Sequence, residues 1–170
     1  GVEIIDGDAF EADDCRRALQ QTQPRRVVSV LGGKNKAGRR VDAEGNLNVI
    51  EALLTAPPPE RFVLLTSMGC GDQMAGMSEQ ALTMLGEAMR AKTIAEERLQ
   101  ATTLPWIIIR PGGLTHEPPT GHYRLLDKPD RRSGGYLPRG DVAAAVLALL
   151  DDASWLRRIV TVEGLAAQSA

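Results

Sequence analysis

The chain has 170 residues, the length of one domain, and its 43% apolar residues suffice for a shared core. Its 20 lysines and arginines nearly balance its 22 aspartates and glutamates, so no overall basic field attracts nucleic acid or an anionic membrane surface. No apolar run approaches the roughly 18 residues that span a bilayer. We therefore expect a single cytoplasmic domain over residues 1–170, with a small-molecule substrate as its partner and with self-association left open.

The two cysteines, Cys15 and Cys70, share no metal-ligand spacing. In a reducing compartment they are most simply free thiols that pack near the ends of helices or strands. We assign them no role and predict no metal site.

Five short apolar runs alternate with longer segments of helical character. They cover residues 2–5, 27–31, 62–66, 106–109 and 159–162. Short apolar runs between helices are typical of strands that are buried on both faces of a parallel sheet. The pattern predicts the α/β fold class.

The helical segments carry recognisable starts and stops. Asp13 and Asp14 resemble an N-cap for a helix over residues 15–21, and Asp141 can cap an alanine-rich helix over residues 142–150. A second helix has an apolar face formed by Leu47, Ile50, Leu53 and Leu54. The methionine-rich residues 74–89 lead into a helix that reaches about residue 100, and polar residues 130–135 predict a mobile surface loop.

Chemically useful residues follow four of the predicted strands. Ligands of open parallel sheets collect beyond the carboxyl ends of the strands, so Asp8, Gly32, Ser67 and residues 110–113 should converge on one edge. Proline and two glycines in the last of these turns end the strand and let the backbone approach a ligand closely.

Six short motifs follow one another in an order that is typical of one family of proteins. They are Gly7-Asp8-Ala9, Leu31-Gly32-Gly33, Thr66-Ser67-Met68-Gly69, Lys92 with Glu96, Arg110-Pro111-Gly112-Gly113-Leu114 and Asp141-Val142-Ala143. In this order the chain resembles an atypical short-chain dehydrogenase/reductase of the NmrA-like, NAD(P)-binding group, over nearly its whole length. Thr120-Gly121-His122-Tyr123 is similar to the same stretch in the biliverdin-IXβ/flavin reductase-like branch.

The resemblance implies a Rossmann-like doubly wound parallel sheet and a cofactor that is NADP or NAD, with NADP slightly favoured. It also implies an oxidoreductase that reduces a small planar acceptor such as a quinone or flavin. A non-catalytic, NAD(P)-binding redox-sensing regulator is the alternative, and a structural role without nucleotide is a third interpretation.

The resemblance also implies a set of cofactor-binding residues. They are Asp8, Ala9, Leu31, Gly32, Gly33, Thr66, Ser67, Lys92, Pro111, Gly112, Gly113 and Leu114. Asp8 and Ala9 would face the adenine, although an aspartate in this place is also a common turn residue. Gly32 and Gly33 would lie against the adenosine ribose or phosphates, or form an ordinary turn.

Ser67 and Lys92 are the predicted catalytic residues, again by resemblance. The Ser67 hydroxyl can donate to developing oxyanion charge, and the family lysine contacts the nicotinamide ribose. The simpler interpretations are a strand-end serine and a solvated Lys92–Glu96 ion pair. The family's proton-donor tyrosine is replaced by Ala88, so the usual tyrosine relay cannot operate.

Substrate contacts are predicted for Met68, His116 and Tyr123, with His122 as a further substitute donor; each is otherwise a surface or pocket-wall residue. Arg110 is expected to be structural, a strand-end cation that meets carboxylates such as Asp141; the alternative is that it contacts the substrate.

In the family, a strand, a glycine-rich loop with its helix, and a second strand precede the segment that begins at Val2, and they form the pyrophosphate site. We therefore expect that Gly1 is not the biological start and that roughly 40 to 50 residues precede it. In a 3-2-1-4-5-6 sheet their strands would lie between residues 2–5 and 27–31, whose edges would otherwise stay unpaired. The residues that choose NADP over NAD would follow the second of these strands.

Overall fold

The structure is a computed structural model, and it describes residues 1–127 and 135–165. The helices are α1 (Ala12–Thr22), α2 (Glu44–Leu54), α3 (Glu79–Gln100) and α4 (Arg139–Asp151). The strands are β1 (Arg26–Ser29), β2 (Arg61–Leu65), β3 (Trp106–Pro111), β4 (Leu114–Thr115), β5 (Tyr123–Leu126), β6 (Leu137–Pro138) and β7 (Ile159–Gly164). Short 3₁₀ helices cover Gly71–Gly76 and Ala153–Trp155.

The main sheet has the order β1-β2-β3-β7-β5. The first four strands are parallel, and β5 adds to β7 in the antiparallel direction. β4 and β6 form a separate parallel pair. The predicted α/β class with a mostly parallel sheet is confirmed, whereas β4, β5 and β6 were not predicted.

Four of the five predicted strands are confirmed, but the strand over residues 2–5 is wrong. Val2 and Ile4 are 92% and 83% exposed and belong to no strand. A strand needs a neighbour for its backbone hydrogen bonds. Within the described residues, β1 pairs with β2 alone, and its other edge is unpaired, as expected.

The apolar core has two layers, one on each face of the sheet. On one face, α2 and α3 pack against β2 and β3 through a cluster that contains Ile50, Leu53, Phe62, Leu64, Ala95, Leu99, Leu104, Trp106 and Ile108. On the other face, α4 packs against Val63, Ile107, Ile109, Val160 and Val162. Alternate residues of each strand point to opposite faces, which explains why these strands read as continuous apolar runs.

The helix ends differ from the predictions by a few residues. α1 has its N-cap at Glu11, so Asp13 and Asp14 lie in its first turn instead of capping it. α4 begins at Arg139, which places Asp141 inside the helix. In α2 the predicted Leu54 is exposed, because it lies to one side of the buried Ile50 and Leu53. Most of the predicted loop over residues 130–135 lies outside the described residues.

No helix within residues 1–127 or 135–165 has both the length and the apolar character needed to cross a bilayer.

Candidate functional site

The parallel register brings the ends of β1, β2 and β3 to one edge of the sheet. Ser29 is paired with Leu64, and Leu65 with Ile109. The turns that follow these strands therefore leave the sheet at neighbouring places, as the sequence predicts for Gly32, Ser67 and Gly112. Arg110 and Pro111, which the sequence places in the last turn, are instead the final residues of β3.

The Asp8 turn lies next to the loop after β1. Asp8 accepts a hydrogen bond from the backbone N–H of Phe10 at 2.9 Å, so this aspartate does act as a turn residue. The Ala9 carbonyl accepts from the Asn48 side chain at 2.9 Å. A Cβ placed on Gly45, in the first turn of α2, would lie 3.2 Å from Ala9 and 3.4 Å from Leu31. The start of α2 thus joins two of the predicted cofactor-binding residues.

Lys92 reaches the glycine turn after β1. A Cβ on Gly32 would lie 3.4 Å from the Lys92 Nζ and 3.3 Å from the Asp42 Oδ1. Gly33 has a φ of +113°, which side-chain-bearing residues rarely adopt. Two predicted cofactor-binding elements that are far apart in sequence are therefore in contact.

Asp42, which the sequence analysis missed, is the centre of this contact. Its Oδ1 lies 2.8 Å from Lys92 Nζ, and its Oδ2 accepts from the Gly33 backbone N–H at 2.9 Å. Burial of the carboxyl opposes its ionisation, but the hydrogen bonds from Lys92 and Gly33 outweigh burial and lower the pKa of Asp42. The simpler alternative for Lys92, a solvated ion pair with Glu96, is wrong, because Lys92 pairs with Asp42 instead.

Arg40 extends the ion pairs toward the solvent. It lies 3.1 Å from Asp42 and 3.1 Å from Glu87 on α3. The only sequence signal for Asp42 was its place just before α2, which is ordinary for a helix start.

Glu96 belongs to a second, buried network at the same edge. It accepts two hydrogen bonds from Arg110, at 3.1 Å and 2.6 Å, and one from the Thr66 hydroxyl at 2.6 Å. Arg110 also donates to Asp72 at 2.7 Å. Arg110 is thus a strand-end structural cation as predicted, but Asp141 is not its partner. The Thr66 side chain is likewise bound within the protein.

Ser67 follows β2 and is half-buried. The next residue, Met68, donates its backbone N–H to Pro111 at 2.9 Å, and its sulfur lies 3.6 Å from the Cβ position of Gly112. Because β2 lies between β1 and β3 in the sheet, Ser67 lies between the glycine turn after β1 and the one after β3.

Cys70 is buried and free, and burial raises the pKa of its thiol to about 12. Cys15 is free as well.

Both glycines after β3 have structural reasons. A Cβ on Gly112 would overlap the backbone carbonyl oxygen of Gly135, and one on Gly113 would lie 2.5 Å from the Tyr136 ring. The sequence predicts that a ligand approaches the backbone closely at this turn. In the structure, Gly135 and Tyr136 of the same chain make the close approach.

Of the predicted substrate residues, Met68 lies beside Gly112, and His116 is exposed just beyond β4. Leu114, a predicted cofactor-binding residue, is 38% exposed in β4. Tyr123 begins β5, pairs with Gly164 and packs against the α4 side of the core. Within the described residues no group of three His, Cys, Asp or Glu side chains could hold a metal ion.

Asp141 fastens the turn that precedes Tyr123. It accepts hydrogen bonds from the backbone N–H groups of Thr120 and Gly121 at 3.0 Å and 2.9 Å. Burial opposes ionisation of the carboxyl, but these N–H donors outweigh it and lower the pKa of Asp141.

We expect Asp141→Asn to reduce stability in a pH-dependent way. A lowered folded-state pKa contributes stability above the unfolded value of about 3.9 and loses it as the pH falls through the folded value. The difference in unfolding free energy between wild type and variant should therefore be largest near pH 7 and shrink below about pH 4. Urea unfolding over this range measures it. Asp151→Asn, at the exposed other end of α4, should show no such loss; a pH-independent difference for Asp141→Asn would contradict the assignment.

Comparisons with known proteins identify the family and the fold. The chain is 28% identical over 169 residues to the chloroplastic protein TIC 62 of Pisum sativum, which covers 92% of this chain and 30% of that protein. It is 35% identical over 112 residues to the uncharacterized sugar epimerase YhfK of Bacillus subtilis (strain 168), covering 66% of this chain and 48% of that protein. The chain spans about a third to a half of the length of these curated relatives.

Solved structures share the fold. ChuY of Escherichia coli O157:H7, described as an anaerobillin reductase, superposes with a TM-score of 0.83 at 30% identity and covers 96% of this chain and 76% of its own. The oxidoreductase ylbE of Lactococcus lactis, at 22% identity and a TM-score of 0.82, shows the likeness of the fold alone. A family described as NAD(P)H-binding matches residues 1–153. The predicted resemblance to NAD(P)-binding short-chain dehydrogenases/reductases is confirmed, and the chain belongs to this NAD(P)H-binding family.

Proposed function

We propose that this protein is an NAD(P)H-dependent reductase of a small planar acceptor such as a quinone or flavin. The observation that carries the proposal is the contact of Lys92 with the Gly32–Gly33 turn, at the edge where Ser67 and Gly112 also lie. A cationic donor beside a turn in which nothing lies within 4 Å of the Gly33 Cβ position suits the sugar of a dinucleotide. Because the chain belongs to an NAD(P)H-binding family, we propose that Lys92 binds a nicotinamide dinucleotide.

The residues at the edge fit a dinucleotide in an extended arrangement. Ala9 and Leu31 meet through Gly45 on the side proposed for the adenine, with Asp8 beside them. Lys92 would donate hydrogen bonds to the nicotinamide ribose. The remaining proposed contacts are Gly32, Gly33, Thr66, Ser67, Pro111, Gly112, Gly113 and Leu114. We slightly favour NADP over NAD as the cofactor. We also propose that the protein is cytoplasmic.

A bound nicotinamide supplies the hydride, and the chain supplies orientation and charge stabilisation. The Ser67 hydroxyl would donate a hydrogen bond to negative charge that develops on the acceptor. Ala88 has no dissociable proton, so the proton that follows the hydride would come from solvent. An acceptor that tolerates this, such as a quinone or flavin, suits the site better than a simple ketone.

The surroundings of Ser67 favour a flat, apolar acceptor. Met68 lies against Gly112, and the exposed side chains of Leu114 and Tyr136 flank Gly113. His116 and Tyr123 are the proposed polar contacts beyond them. The similarity to an anaerobillin reductase adds that compound to the acceptors to be tested.

The test is a titration of the full-length protein with NADPH and NADH, followed by nicotinamide fluorescence and thermal stability. Saturable binding and cofactor oxidation with a quinone, a flavin or anaerobillin would support the proposal. Absence of binding by the folded protein would overturn it.

We expect Ser67→Ala to lower kcat about ten- to hundredfold with little change in cofactor Kd, because the lost hydrogen bond acts on charge that develops during the reaction. Steady-state kinetics with the best acceptor measures this. Ser154→Ala, which alters an exposed serine outside the edge, is the matched control. Equal kcat for Ser67→Ala and wild type would remove Ser67 from the mechanism.

A redox-sensing regulator that binds NAD(P) without turnover is the second candidate, and Ala88 in the place of the family tyrosine favours it. The two candidates share the binding site and differ in turnover. Submicromolar cofactor binding without oxidation by any acceptor would support the regulator, and a structural role gains support only if binding is absent.

A further inference from the structure

We propose that Asp42 is a positioning residue, which holds the Lys92 ammonium over the Gly32–Gly33 turn and thereby makes Lys92 competent to bind the dinucleotide. The inference rests on the proposed function and deepens it. It adds to the cofactor site a residue that acts through Lys92.

The two carboxylate oxygens of Asp42 have different partners. Oδ1 lies 2.8 Å from Lys92 Nζ, on the fourth turn of α3. Oδ2 accepts from the backbone N–H of Gly33 at 2.9 Å. One side chain therefore fixes the ammonium and the turn relative to each other, although they belong to segments about 60 residues apart in sequence.

Asp42 is itself held in place. Its backbone carbonyl accepts from the Asn46 amide at 2.9 Å, and the Asn46 carbonyl oxygen accepts from the Ser29 hydroxyl at 2.5 Å. Ser29 is the last residue of β1. The backbone of Asp42 is thus connected by hydrogen bonds to the sheet, so the carboxylate that it carries can hold Lys92 in a fixed position.

Burial gives the pair its effect. The side chains of Asp42 and Lys92 are 2% and 15% exposed, so water screens their attraction only weakly. A free lysine side chain samples many rotamers, and a ligand would otherwise have to restrict them on binding. Asp42 restricts it before the ligand arrives, and this raises affinity without a new contact to the ligand.

The charges around the turn indicate which ligand groups suit it. Lys92 is balanced by Asp42, and Arg40 lies between Asp42 and the Glu87 carboxylate. The ion pair uses one of the three N–H donors of the ammonium and leaves two. A largely neutralised cation with free donors suits the neutral hydroxyl groups of a ribose.

The test compares Asp42→Asn, Lys92→Met and the double variant in the full-length protein by fluorescence titration with NADPH. We expect Asp42→Asn to raise Kd about tenfold. The double variant should bind no more weakly than Lys92→Met alone, because Asp42 acts through the lysine. Glu51→Gln is the matched control, since it breaks another ion pair of α3, the one between Arg98 and Glu51 of α2 at 2.6 Å, away from the turn.

The outcomes separate the two proposals. If wild type and Glu51→Gln bind NADPH but Asp42→Asn binds within twofold of them, the positioning role is wrong and the proposed function stands. If the effects of Asp42→Asn and Lys92→Met add in full, Asp42 does not act through Lys92. If folded wild type binds no dinucleotide, the proposed function and this inference both fall.

A second measurement covers the case in which Asp42→Asn does not fold. In wild-type protein labelled with ¹⁵N-lysine, an ammonium held by Asp42 should give a slowly exchanging signal, identified by its absence in Lys92→Met. The signal should shift when NADPH is added. Wild-type protein that binds NADPH but shows no such signal would overturn the inference.

Discussion

Glu96→Ala should destabilise the protein by about 3–5 kcal/mol, the cost of leaving one member of a buried ion pair without its partner. Glu96 and Arg110 are 1% and 3% exposed, and two hydrogen bonds join them. Removing the carboxylate leaves the guanidinium with the exposed Asp72 as its acidic partner. It also leaves the Thr66 hydroxyl with only a long contact, 3.4 Å, to the Ile109 carbonyl oxygen. Urea unfolding near pH 7 measures the loss.

The matched control alters the other acid bound to the same arginine. Asp72 accepts from Arg110 at 2.7 Å, but its side chain is 85% exposed. Asp72→Asn should therefore cost less than about 1 kcal/mol, the usual range for a solvated ion pair. Similar losses for the two variants would show that burial does not decide the contribution of this network.

Gly112→Ala should cost about 3 kcal/mol, at the upper end of the usual penalty for overpacking. The added Cβ would overlap the backbone carbonyl oxygen of Gly135, and backbone cannot rotate away as a side chain can. Because Gly112 also donates to Val162 at 2.9 Å, relief of the overlap would strain the end of the sheet. Thermal or urea unfolding measures this effect.

Gly76→Ala serves as the control for Gly112→Ala, since nothing lies within 4 Å of its Cβ position. It should leave stability unchanged or raise it slightly, because alanine restricts the unfolded chain. If Gly112→Ala is equally harmless, the turn after β3 accommodates a Cβ, and the expected overlap with Gly135 does not destabilise the protein.

The sequence predicted the parts of the fold that depend on local pattern. The apolar runs identify β1, β2, β3 and β7, because a strand buried on both faces must be apolar along its length. β5 was not predicted, because this strand has only four residues, Tyr123–Leu126, and none of them is fully buried. Residues 2–5 are apolar enough for a strand, but pattern alone cannot show whether a neighbouring strand is present.

In the candidate site, too, some features could be predicted from the sequence and others could not. The places of Gly32, Ser67 and Gly112 at one edge follow from parallel topology and could be predicted. The partners of the charged residues could not, because spacing on a helix favours Lys92 with Glu96, whereas the fold offers each of them a buried partner from elsewhere. Asp42 was missed for this reason: its role depends on a contact between distant segments.

The two most buried ion pairs of α3, Lys92–Asp42 and Glu96–Arg110, have a joint consequence for ligand recognition. Lys92 and Glu96 lie one turn apart on the same helix, and Glu96 binds Arg110 at the end of β3. The backbone that carries Lys92 is thus anchored to the sheet one turn away. A ligand that engages this lysine meets a receptor that is already ordered, so the conformational entropy lost on binding falls mainly on the ligand.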